Sequence, residues 1–161
     1  LYEFSTEDRF IIQLEDVQDI NATQKSKNGK ARCDIMLTLE NGVDKSTVAI
    51  ELKHFKKKKK NSSSETITDN RFSIWCDLEN LENYKEVFSQ KNQELIGYEI
   101  LYTNNPNYAN PGSTSYVKIG HGIVMNPGEY ESNGRKVTLR NEYTFNWDIY
   151  PDDNCFLKIK V

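Results

Sequence analysis

At 161 residues, 37% hydrophobic and with a mean hydropathy of −0.74, the chain has the size of one domain with a substantial core. It holds no apolar run near the length that spans a bilayer and nothing resembling a signal peptide, so membrane-embedded classes are set aside. A net charge of −3 argues against a protein coated in basic surface, and three scattered cysteines without CxxC spacing read as buried free thiols of a reducing, cytoplasmic compartment.

Residues 6–20, TEDRFIIQLEDVQDI, place Phe10, Leu14, Val17 and Ile20 at helical spacing, which predicts a helix whose apolar stripe packs on a sheet. Ser5 or Thr6 suits its N-cap, and Glu7 and Asp8 suit the positive end of its dipole. The polar run 21–30, NATQKSKNGK, predicts a loop or turn.

Two apolar strands follow, 33–39 and 47–55, each interrupted by charge: Asp34 in the first, Glu51 and Lys53 in the second. Side chains on a strand alternate faces, so Ile50, Leu52 and His54 share one face and Glu51 and Lys53 the other. Asn41-Gly42 marks a turn, so the strands are expected to form a hairpin that brings Asp34 close to Glu51 and Lys53. Carboxylates held together repel unless positive charge lies between them, and a divalent metal ion and a lysine would supply it. An edge hairpin with solvated charges is the plainer reading of the same residues.

Lys56, Lys57, Lys58, Lys59 and Lys60 form one block, and removing its five charges would take the net charge from −3 to −8. The block opens a low-complexity stretch, 56–66, expected to be a mobile loop that touches nucleic acid through phosphate contacts. Residues 68–88 return to helical period through Phe72, Trp75, Leu78, Leu81, Tyr84 and Phe88, with Arg71, Asp77 and Lys85 expected on the solvated side. Residues 94–103, ELIGYEILYT, read as a buried strand ending in NNPNYANPGS, where Thr103, Asn104 and Asn105 stand at a strand end, a usual place for sites. The last third reads as strands and turns. His54 and His121 are expected to be non-catalytic, and Tyr143, Trp147 and Tyr150 to be aromatic packing, with stacking on unpaired bases as the alternative.

The order Asp34, then Glu51-x-Lys53, resembles the PD-(D/E)XK superfamily of restriction-endonuclease-like nucleases, with Cys33 where the motif name has proline. STEDRF, RCDIML, IELKHF, DLENLENYK, YEILYTNNPNYA and LRNEYTFNWDIY together resemble one bacterial group within it, with Asn105 and Ala109 departing from its usual aspartate and tryptophan. The resemblance implies one α/β domain over 1–161, a mixed sheet in the order α-β-β-β-α-β, and a β-rich C-terminal extension. It implies a metal-dependent endodeoxyribonuclease: Asp34 and Glu51 as magnesium (or manganese) ligands, Glu7 on the first helix as a further ligand, and Lys53 beside the attacking water and the scissile phosphate. DNA is the implied partner, with room for a homodimer or larger assembly. The alternative is an inactive nuclease-like fold that binds nucleic acid or protein.

Overall fold

Three apolar runs pair in sequence order into an antiparallel meander: β1 (Asp8–Gln18), β2 (Ala31–Asn41) and β3 (Asp44–Phe55). The structure, a computed structural model, describes residues 8–18, 31–42, 44–57, 64–112 and 115–161. The β2–β3 ladder runs from Asn41 opposite Asp44 to Ile35 opposite Ile50. Gly42, at φ +58°, supplies the left-handed turn that joins them, a conformation costly for any residue with a Cβ.

The first element corrects the sequence expectation of a helix over 6–20: residues 8–18 form a strand. The same residues satisfy a period of two, since Phe10, Ile12 and Leu14 alternate with Arg9, Ile11 and Gln13. Pairing decides between the periods, because Phe10, Ile12 and Leu14 fall opposite Leu39, Leu37 and Ile35 on one face of the sheet. No helix therefore precedes β1 among the described residues, and the expected α-β-β-β-α-β order appears there as β-β-β-α-β.

Helix α1 (Ser64–Gln90) starts four residues earlier than its period suggests, so residues 64–66 belong to it and not to the lysine-rich loop. It crosses over the sheet and returns the chain to β4 (Glu94–Thr103), which lies parallel to β3 from Ser46 opposite Glu94 to Phe55 opposite Thr103. The rest is strand-rich: β5 (Val124–Met125), β6 (Gly128–Ser132), β7 (Arg135–Leu139), β8 (Tyr143–Thr144), β9 (Trp147–Ile149) and β10 (Cys155–Lys160). The described strands make a six-stranded mixed sheet in the order β1-β2-β3-β4-β10-β9, with β5-β8 and β6-β7 as separate pairs. The architecture is mixed α/β, strand-dominated, with one helix among the described residues.

The core lies between α1 and one face of this sheet. Phe72, Leu78, Leu81 and Tyr84 of α1 are fully buried, as are Ala49 of β3 and Leu101 of β4. The helix is covered on its outer side as well, where Trp75 meets Tyr130 of β6 and Arg135 of β7 pairs with Asp69. Toward its C-terminal end Lys85, Glu86, Ser89 and Gln90 stay exposed. The other face of the sheet is barer: Phe10, Ile12 and Leu14 are 55%, 59% and 70% exposed. No helix among the described residues is long and apolar enough to cross a membrane.

Candidate functional site

The charged residues of the hairpin meet beneath α1. Thr47, Ala49, Glu51, Lys53 and Phe55 alternate onto the helix-facing side of β3, and Glu51 is 3% exposed there. Asp34 lies one position beyond the last β2–β3 pair, and its Oδ2 accepts a hydrogen bond from the Leu52 N–H at 2.8 Å. That bond ties the Asp34 carboxylate to the backbone between Glu51 and Lys53. The hairpin thus brings Asp34 beside the Glu-x-Lys segment, as its sequence predicts.

Two further acids complete the group. Asp77 of α1 bonds the Lys53 ammonium, Nζ to Oδ2 at 2.6 Å, with the Asp77 side chain almost wholly buried. Glu99 of β4 stands opposite Glu51 in the parallel register and is fully buried. Burial alone would pull the Lys53 pKa down, but Asp77, Glu99 and Glu51 outweigh it and hold the ammonium well above its ordinary value. The site therefore keeps a fixed positive charge among carboxylates at neutral pH.

The surroundings register the same field. The buried Cys33 thiol, donating to Ile35 O at 3.2 Å and Ile50 O at 3.6 Å, is pushed up to about 12 by burial and then by Glu51. Tyr84 reaches the cluster from α1; burial and then Glu51 raise its phenol, and its hydroxyl makes no hydrogen bond among the described residues.

No three His, Cys, Asp or Glu side chains among the described residues are disposed to hold a metal ion together. Asp34 and Glu51 nevertheless offer hard oxygen donors on adjacent strands. Magnesium is ordinarily held by one or two carboxylates, with water and substrate phosphate completing its shell, so this donor pair fits it.

The remaining expectations divide. Glu7 and Lys58, Lys59 and Lys60 lie outside the described residues. Lys56 and Lys57 are exposed, and Lys57 is anchored, its N–H to Asn104 Oδ1 at 2.7 Å and its ammonium 3.4 Å from Asp153. His54 points to the opposite face and rests on Tyr102, while His121 Nδ1 accepts the Trp147 N–H at 3.1 Å. Thr103 is turned inward, its hydroxyl donating to Phe55 O at 2.6 Å, and Asn105 is buried. Tyr143 and Trp147 are core residues, whereas Tyr150 is exposed.

Asp77 and Arg71, expected on the solvated side of the helix, are both buried. The reason is geometric: Asp77 precedes Leu81, Tyr84 and Phe88 by four, seven and eleven positions and so shares their sheet-facing stripe. Arg71 is capped by the 105–109 turn, its guanidinium donating to Asn107 O and lying 5.9 Å from the Tyr108 ring centre. Glu99 escaped sequence reasoning, although it alternates with Leu95, Gly97, Leu101 and Thr103 on the buried side of β4.

No protein-family model, no curated protein and no solved structure matches the chain, so its function is argued from this cluster.

Proposed function

We propose that the protein is a metal-dependent nuclease that hydrolyses phosphodiester bonds in DNA. The observation that carries this reading is the Asp34 carboxylate bonded to the Leu52 N–H, beside Glu51 and Lys53, which face α1 from β3. The three-strand meander, crossover helix and fourth strand parallel to the third support the same reading, because they set the hairpin's charged residues under one helix. A cytoplasmic setting belongs to the same reading, supported by three buried cysteines that are all free.

In this mechanism Asp34 and Glu51 would hold magnesium or manganese through their carboxylate oxygens. The bound ion would supply an activated water and neutralise charge at the phosphate. Lys53 contributes a permanent cation toward the attacking water and the charged phosphate, and Asp77 braces it from the helix side. Such a lysine acts by electrostatics, because its raised pKa leaves it unable to accept a proton at neutral pH.

Purified protein with magnesium and plasmid DNA is expected to give nicks or breaks that vanish in chelator and in Lys53→Ala. Cleavage that persists in that variant would assign the activity to a contaminant.

One observation favours a second reading, a nuclease-like fold that binds nucleic acid or protein without cutting: the Lys53 ammonium is already bonded to Asp77. Metal titration separates the two. A competent site binds magnesium or manganese and loses it in Glu51→Gln, whereas a degenerate site binds neither.

A further inference from the structure

The sheet face away from α1 carries a row of rings at the C-terminal ends of β3 and β4. His54 packs on Tyr102 with ring centres 5.2 Å apart, and Phe156 of β10 is the cross-strand partner of Tyr102. Tyr150, Pro151, Asp152 and Asn154 close the far side, leaving an open groove of about 540 Å³. Tyr102 and Tyr150 remain 41% and 54% exposed.

The groove is held in shape. The Tyr150 N–H donates to Asn154 O at 2.9 Å and the Tyr102 hydroxyl donates to Asn154 Oδ1 at 2.5 Å, while the Asn154 side-chain amide donates to Asp152. Its charge is graded. Lys158 and Lys160, paired with Ile100 and Tyr98, stand on the same sheet face, and Lys56 and Lys57 flank the end of β3. Of the nearby acids, Asp153 is paired with Lys57 and Asp152 is engaged by Asn154, leaving exposed Asp148 opposite Phe156.

We propose that this groove is a stacking site for an unpaired base of a nucleic-acid strand. The inference rests on the nuclease reading and names the form of substrate: single-stranded or locally opened nucleic acid. Exposed, pre-set aromatic faces accept any base by stacking, and lysines beside them track the phosphates. The polar rim of Asp152 and Asn154 offers hydrogen bonds to base edges. Lys53 and His54 are consecutive on β3 and point to opposite faces, so the carboxylate cluster and the groove back onto each other through the sheet. A strand that turns round the ends of β3 and β4 therefore engages both.

The test measures the affinity of the full chain for an oligothymidylate and for a duplex of equal length, in chelator so that nothing is cut. Tyr150→Ala is expected to weaken single-strand binding about tenfold or more, as loss of one base stack does. The salt slope and the duplex affinity should hold, and Tyr150→Trp should retain binding. Unchanged single-strand affinity in Tyr150→Ala overturns the proposal, as does an equal loss for duplex. Unchanged affinity with a shifted elution volume overturns it in favour of self-association through this face. Glu51→Gln separates the two readings: it should abolish cleavage, and in that background Tyr150→Ala should still weaken single-strand binding about tenfold. If Tyr150→Ala still cuts plasmid and binds oligothymidylate like the parent, only the stacking site falls.

Discussion

Glu82 shows how much one buried carboxylate organises in this chain. From α1, with its side chain 1% exposed, it accepts the N–H groups of Arg140 and Asn141, the Asn141 side-chain amide and the Tyr143 hydroxyl, with the Arg140 guanidinium 3.4 Å away. These bonds fasten the C-terminal extension to the helix. Glu82→Ala strands several donors at once and is expected to cost on the order of 3 kcal/mol. Urea unfolding with an unchanged m-value checks it, and a change below about 0.5 kcal/mol, the scale of an ordinary surface substitution, would refute the anchoring role. Burial, then the bond to Glu82, raises the Tyr143 phenol above its ordinary value, so the folded state holds that proton more tightly than the unfolded chain. Its contribution to stability is full below about pH 10 and is lost as pH rises through the folded pKa. At this scale the sequence discloses Asp34, Glu51 and Lys53, because a period of two fixes which strand side chains share a face. It hides Asp77, Glu82 and Glu99, since nothing local distinguishes a carboxylate that meets water from one that meets a lysine, a tyrosine or a backbone N–H.

Among the elements, the hairpin, the helix and the buried fourth strand are legible because each is specified locally: Asn41-Gly42 by turn chemistry, α1 by its period, β4 by its dense apolar and aromatic run. The strand β1 is not, because DRFIIQLEDVQ satisfies two periods and only its partner β2 chooses between them. The bare face of β1 compounds this, since Phe10, Ile12 and Leu14 look like a core stripe and yet stay exposed. The close fit of α1 on β4 turns on Gly97, whose N–H and C=O both bond Val161 and where an added Cβ would lie 3.2 Å from Leu81 Cβ and from Val161 Cβ. Gly97→Val is therefore expected to destabilise by about 2 kcal/mol through overpacking, with Gly97→Ala intermediate. Leu81→Ala should couple to Gly97→Ala by about 0.5 kcal/mol or more in a double-mutant cycle. Strict additivity of the two would place the strain elsewhere.

For the molecule as a whole, the distribution of charge governs how it meets a polyanion. The net charge of −3 repels DNA at long range, so the DNA binding proposed for this protein would have to come from places where positive charge is gathered. Lys53 is already neutralised by its acidic neighbours, which leaves the block Lys56–Lys60 as the largest local excess in the sequence. Each lysine that meets a phosphate of duplex DNA releases counterions and adds about 0.9 to the slope of log affinity against log salt. Lys57 is held by Asp153 across a 3.4 Å ion pair and has less to give. Replacing all five lysines with serine in Glu51→Gln, so that binding is read without cleavage, is expected to flatten the slope by about 3 to 4 units. Asp153→Ala alone should steepen it by releasing Lys57. A slope that does not move in the five-fold variant would take the block out of the nucleic-acid interface and leave the lysines on β10 to carry the phosphate contacts.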